Sequence, residues 1–362
     1  MVRKHVFGCS CSRRNMAPAS GGMLGRRDVL AGFAATVVAG AIKAVPARAA
    51  ETTPQRIDVH HHLSPPAYIA AANANHVGEA PMRSWTVDKS LDDMDRAGVA
   101  TAVLSITTPG VSFTSGEPAR TLSRECNEYA AKLITNHPGR FGSFAMVPLT
   151  DTDGALHEIE YAMDTLKADG IGLLTSYGDK WLGHPAFLPV MEELNRRKAL
   201  VYTHPTTANC CVNLVKTQQP AMIEFGTDTT RTIADIIFSG NAVKFRDISW
   251  IFSHAGGTMP MLLDRFVRNA FLDPNAKQAV PDGTLAELRR FYYDTAQTAN
   301  KAAMSALSAI VPTSQIVFGT DFPYRTSIDH VNALRDCGVF SEAQLAEIER
   351  GNALKLLPRL AA

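Results

Sequence analysis

Short apolar runs alternate with longer amphipathic stretches from residue 56 to residue 319. The runs predict strands at Arg56–His60 (RIDVH), Ala100–Ser105, Phe141–Val147, Ile171–Thr175, Leu200–His204, Ser249–His254, Phe291–Asp294 and Ile316–Gly319. Continuous apolar runs of this length suit strands covered on both faces, as in a parallel sheet. Between them, helix-like spacing of apolar positions predicts helices at Ala119–Ile134, Ala155–Ala168, Pro185–Arg197, Phe225–Ser239, Pro260–Phe271 and Lys301–Ile310, and a helix end at Leu91–Gly98. Pro118 suits a first helical turn, and His137-Pro138-Gly139 and Asp169-Gly170 act as stops. Pro65-Pro66 reads as a break after the first strand.

Eight strands, most followed by a helix, favour a closed (β/α)8 TIM barrel, for which about 250 residues suffice. The alternative is an open α/β sheet. It would gather its ligands at one crevice, whereas the chemically competent residues here run from the first strand to the last. No repeat of solenoid period is visible.

Residues 1–49 fall outside this pattern. Arg26-Arg27 precedes Asp28-Val29-Leu30 and an uncharged stretch to Ile42, and Ala47-Arg48-Ala49 reads as a cleavage site. That is the layout of a secretory signal and resembles the twin-arginine type. Val29–Ile42 spans 14 residues, short of the roughly 20 that cross a bilayer. The expectation is therefore a cleaved signal over 1–49, translation from Met23, a barrel domain over 50–362, no stable membrane span, and a periplasmic or exported enzyme.

Removing the signal changes the sign of the charge. Residues 1–49 hold 8 of the 36 Lys+Arg and 1 of the 35 Asp+Glu, which leaves 28 − 34 = −6 on the rest. An acidic body excludes a nucleic-acid footprint. Cys126, Cys210, Cys211 and Cys337 remain, without zinc-knuckle spacing or disulfide-rich density. Cys210-Cys211 follows His204 closely enough to lie near a site there.

Candidate chemistry sits at the ends of predicted strands. In Asp58-Val59-His60-His61-His62, strand alternation puts His60 and His62 on one face and His61 on the other. His204 ends the fifth strand, His254 ends the sixth, and Asp321 lies just beyond the eighth. The carboxyl ends of barrel strands converge on one rim, where catalytic residues gather. Imidazoles with a carboxylate suit Zn²⁺, Mn²⁺ or Fe²⁺ rather than Ca²⁺ or Mg²⁺.

The segments IDVHHH, VYTHP, IFSHAGG and FGTDFP resemble those of the amidohydrolase superfamily, in the branch of α-amino-β-carboxymuconate-semialdehyde decarboxylase and related aromatic-acid decarboxylases. The likeness runs over roughly residues 56–358. With Ser90–Gly110, the first motif looks most like the 6-methylsalicylate decarboxylases of that branch. The resemblance implies that His60, His62, His204 and Asp321 hold one divalent ion, zinc first and manganese or iron as alternatives. It gives His254 an acid/base role beside Asp321. The absence of lysine from Ile171–Thr175 removes the bridging residue of two-metal relatives. Ser90 stands where the semialdehyde decarboxylase has a substrate arginine. Arg265 matches a second substrate arginine, donated across a dimer in that enzyme, so a homodimer is a candidate assembly. Phe322, Tyr324 and Phe113 are candidates for an aromatic wall.

Three functions follow. The first is non-oxidative decarboxylation of an aromatic or unsaturated carboxylic acid. The second is hydrolysis of an amide, ester or lactone on the same metal. The third is a binding barrel without catalysis.

Overall fold

The computed structural model describes residues 55–361. The signal expected over 1–49 and the start at Met23 lie outside the described residues. Eight strands form one sheet: β1 (Arg56–His62), β2 (Val99–Ser105), β3 (Phe141–Met146), β4 (Gly170–Leu174), β5 (Leu200–His204), β6 (Ser249–Phe252), β7 (Tyr292–Asp294) and β8 (Ile316–Val317). They pair in parallel and in chain order. Helices follow the strands in turn: α1 (Val87–Ala97), α2 (Glu117–Asn136), α3 (Thr152–Glu160), α4 (Leu188–Arg196), α5 (Glu224–Phe238), α6 (Leu263–Leu272), α7 (Lys301–Ser308) and α8 (Ser327–Asp336).

The ring closes between β1 and the segment around β8. Val59 N–H donates to the Phe318 carbonyl at 3.0 Å, Asp321 N–H to His60 at 2.8 Å, and His62 N–H to Phe322 at 2.8 Å. This is the TIM barrel that the alternation predicts.

Two apolar cores hold it. The outer one packs helix residues such as Met94 and Ile236 on the strands' outward residues, among them Leu104, Ile171 and Phe252. The inner one joins Ile57, Val59, Val103, Phe144, Tyr202 and Ile251, with Leu357 and Leu360 of the C-terminal segment packed onto it. Burying each such side chain stabilises the fold by about 1.5–3 kcal/mol. Helix ends follow local chemistry. In α1, the Thr86 side chain accepts from the Lys89 N–H, and Gly98 ends the helix at φ 65°.

β1 contains a bulge. Asp58 pairs with Ala102, but His61 pairs with Leu104, so β1 carries one extra residue. The bulge resets the alternation. Ile57 and Val59 belong to the inner core, and after the extra residue His60 and His62 also face inward.

Some elements escape the sequence pattern. Pro65-Pro66 does not end structure: Pro66 opens a helix to Ala74, in a first turn that needs no amide hydrogen from it. A hairpin of Ser176–Tyr177 with Lys180–Trp181 follows β4. It is pinned by Asp228 of α5, which accepts from Ser176 Oγ at 2.8 Å and Trp181 Nε1 at 2.7 Å. Among the described residues, no helix is long and apolar enough to cross a membrane.

Candidate metal centre

Four side chains converge at the carboxyl rim of the strands. One donor atom each from His60, His62, His204 and Asp321 lies within 4.8 Å of every other, and all four residues are buried. His60 Nε2 is 3.1 Å from His62 Nε2. Asp321 Oδ1 is 3.2 Å from the first and 3.0 Å from the second. Bonds of about 2.0–2.2 Å to a shared ion bring donors to roughly this spacing.

The outer nitrogens of the three rings are already engaged. His60 Nδ1 donates to Asp294 Oδ2 at 2.8 Å, His204 Nδ1 to the Pro205 carbonyl at 2.8 Å, and His62 Nδ1 faces the Ser105 carbonyl at 3.3 Å. Engaging Nδ1 leaves the Nε2 lone pair directed at the common centre. Lone pairs meeting beside a carboxylate oxygen repel unless a cation lies among them, so this donor set fits a divalent ion.

Protonation points the same way. Burial holds the His62 and His204 imidazoles below their ordinary range, in the neutral form that a metal needs. Burial also depresses His60, but the Asp294 and Asp321 carboxylates prevail and push it up to about 10. Burial alone raises the Asp321 carboxyl, yet His60 and His62 hold it well below the carboxylate range.

Asp294 is an addition to the expected residues. It ends β7, and its Oδ1 accepts the backbone N–H of His254 and of Ala296, each at 2.9 Å. It thus orients His60 and anchors the turn bearing His254. Two glycines permit the close packing. A Cβ on Gly319 would lie 2.7 Å from the His60 Cβ, and one on Gly257 would lie 2.0 Å from the Gly226 carbonyl oxygen.

His254 donates from Nδ1 to the Ala296 carbonyl at 2.9 Å, which leaves Nε2 as its free nitrogen. Its ring centroid is 5.0 Å from that of His60 and 5.9 Å from that of His204. Asp321 gives Oδ1 to the ligand cluster, while Oδ2 accepts from Gln297 Nε2 at 3.0 Å. A cavity of about 480 Å³ opens above these groups, with Phe225, Met222, Ala221, Thr107 and Tyr324 in its wall.

An amidohydrolase model matches residues 57–359. The chain belongs to the amidohydrolase family. Among its relatives, "Decarboxylase yanB" of Aspergillus niger is 40% identical over 84% of this chain and 88% of that protein. "6-Methylsalicylic acid decarboxylase acuB" of Aspergillus aculeatus is 37% identical over 84% and 96%. The solved dihydroxybenzoic acid decarboxylase from Polaromonas, with bound manganese and 2-nitroresorcinol, superposes at TM-score 0.72 with 22% identity, over 84% of this chain and 97% of that one.

Within this amidohydrolase site, the other expected residues divide. Tyr324 is at the cavity, its ring centroid 5.9 Å from that of His62, and burial pushes its hydroxyl pKa up. Phe322 is not in the wall. The left-handed backbone at Asp321, φ 68°, turns the chain, and the Phe322 ring stacks on His61 at 4.6 Å on the outer side of β1. Phe113 packs edge-to-face on Tyr68 instead. Ser90 also misses the cavity: its hydroxyl bonds His61 Nε2 at 2.6 Å beneath α1. Cys210 is exposed and Cys211 buried, and neither lines the cavity. Arg265 is exposed on α6, outside its own chain's cavity and without an ion pair among the described residues. Among the described residues, no lysine or arginine lines the cavity.

Proposed function

We propose that the protein is a metal-dependent, non-oxidative decarboxylase of a small aromatic carboxylic acid with an ortho hydroxyl, of the salicylate or resorcylate kind. The observation that carries this reading is the buried three-histidine, one-aspartate cluster at the floor of a cavity of about 480 Å³, with room for a substituted ring. Relatives at 37–40% identity that bear decarboxylase names support it.

When bound, the ion supplies a Lewis-acid site that holds the substrate's carboxylate and ortho oxygen in place. The chain does the rest. Phe225 and Tyr324 flank the ring and keep it against the floor. A proton must reach the ring carbon before the bond to the carboxylate breaks, so that hydrogen replaces CO2. Asp321 and His254 are the two groups placed to hold that proton. Gln297 fixes the second Asp321 oxygen at the cavity edge. Three nitrogen donors and one carboxylate favour zinc, with manganese and iron as the alternatives a test must separate. The Arg26-Arg27 segment supports export of the mature barrel by a twin-arginine route. Detection of the mature chain in the periplasm, and its loss on Arg26→Lys/Arg27→Lys, tests that export.

The test of function uses metal-stripped protein reloaded with zinc, manganese or iron. It is assayed against salicylates, resorcylates and lactones. Headspace CO2 and phenol in equal amounts are expected. An acid product without CO2 indicates hydrolysis instead, and metal binding without turnover of any compound indicates a binding barrel.

A further inference from the structure

A second constellation lies behind the ligand strand. Ser90 Oγ is 2.6 Å from His61 Nε2, and His61 Nδ1 is 3.0 Å from Asp58 Oδ2. Serine, imidazole and carboxylate in this order are the parts of a nucleophilic triad. Here none of the three side chains has solvent exposure among the described residues, and none lines the substrate-sized cavity above the metal ligands. No substrate reaches Ser90, so the arrangement holds structure rather than attacking a carbonyl.

What it holds is informative. Asp58 accepts four hydrogen bonds. Oδ1 takes the backbone N–H of His60 at 3.0 Å and of Thr320 at 3.1 Å. Oδ2 takes the Thr320 hydroxyl at 2.6 Å and His61 Nδ1. His60 is a ligand, and Thr320 directly precedes the ligand Asp321. The His61 ring lies between the ligands His60 and His62 in sequence and stacks on Phe322, which directly follows Asp321. Ser90 then ties His61 to α1. One buried network therefore grips the neighbours of ligands on β1 and beyond β8, and it lies beside the bulge that aims His60.

We propose that Asp58, His61 and Ser90 form a buried tether that holds the two ligand-bearing segments in register and so sets the affinity of the metal site. It acts on the ligand positions through backbone and ring contacts, and Ser90 is a positioning residue. The inference concerns metal binding alone and stands whether or not the substrate is an aromatic acid.

The test measures zinc affinity of the whole protein by competition with a chromophoric chelator, beside thermal unfolding. Ser90→Ala removes the hydroxyl, and Met94→Ala opens a cavity one turn further along the same helix without removing any of the tether's hydrogen bonds. Loss of a group bonded directly to a ligand lowers affinity by about 10–100-fold; Ser90 acts one contact further out, through His61, so Ser90→Ala is expected to lose about fivefold or more, while Met94→Ala lowers the unfolding midpoint and leaves zinc affinity unchanged. At saturating zinc, kcat of Ser90→Ala changes less than its zinc affinity. Zinc affinity of Ser90→Ala within about twofold of wild type overturns the proposal, as does an equal loss in Met94→Ala. Labelling of Ser90 by a fluorophosphonate also overturns it, because it shows a reachable nucleophile.

Discussion

His60 Nδ1 lies 2.8 Å from Asp294 Oδ2, and neither side chain has any solvent exposure. The contact fixes which nitrogen of His60 carries the hydrogen and therefore which one is free for a metal. Asp294→Asn keeps the shape but can turn an amide donor toward His60 Nδ1. Nε2 would then carry the hydrogen and have no lone pair for the ion. Metal affinity is expected to drop by about 10–100-fold, with kcat recovering partly at high metal concentration. Chelator competition checks this, and an affinity equal to wild type would remove Asp294 from the account.

Metal binding should release about one proton per ion near neutral pH. Burial keeps His62 and His204 neutral, whereas His60, pushed up to about 10, carries a proton until the ion displaces it. The sign for the metal-free fold follows. A raised imidazole stabilises fully below its unfolded pKa of about 6.5, and that contribution is lost as pH rises through about 10. Asp321, held low, contributes above the ordinary carboxylate range and loses that contribution in acid. Apparent metal affinity thus climbs by about tenfold per pH unit between about 7 and 9. Calorimetry in buffers of different ionisation enthalpy counts the protons, and a count of zero or two contradicts the assignment of His60.

His204 and Asp321 were legible in the sequence because barrel geometry sends every strand's carboxyl end to one rim. The pairing of His60 with His62 was also legible, from alternation alone. The bulge was not: strict alternation would turn Ile57 and Val59 away from the face of His60, and only the register with β2 reveals the extra residue. Asp294 ends its predicted strand as the others do, but an aspartate there equally suits a helix cap. Phe322 was misplaced because the left-handed backbone of Asp321 is invisible in a string of residue types. The contact of His61 with Ser90 spans 29 positions and two elements. No local pattern encodes it.

His254→Asn separates chemistry from metal binding. The imidazole is held through Nδ1 by Ala296 and is not one of the four clustered ligands. Removing a positioned acid/base group costs about 10²–10⁴-fold in rate. The variant is expected to bind metal as wild type does, with KM little changed and kcat reduced by that factor. A full-rate variant would leave Asp321 as the sole proton carrier.

The last prediction concerns Arg265. The cavity has no cationic side chain among the described residues, while Arg265 stands exposed on α6. On and beside that helix, Met261, Phe271 and Leu272 are exposed at 79%, 84% and 62%, more apolar surface than a lone subunit usually presents along one helix. A second copy that covers this face can bring its Arg265 to the neighbouring cavity, where it would pair with the substrate carboxylate oxygen that the ion does not hold. Phe271→Glu is then expected to yield monomers in sedimentation and a large loss of kcat/KM. Arg265→Ala alone should raise KM by ~10-fold or more, as for a lost charged hydrogen bond. Mixing Arg265→Ala chains with His204→Ala chains gives the sharper reading. At substrate well below KM each is weakly active alone, but in a mixed two-fold dimer the His204→Ala chain lends its Arg265 to the one site that keeps His204, so random exchange restores about a quarter of wild-type sites. If the mixture stays as inactive as its parts while forming dimers, Arg265 does not cross between subunits.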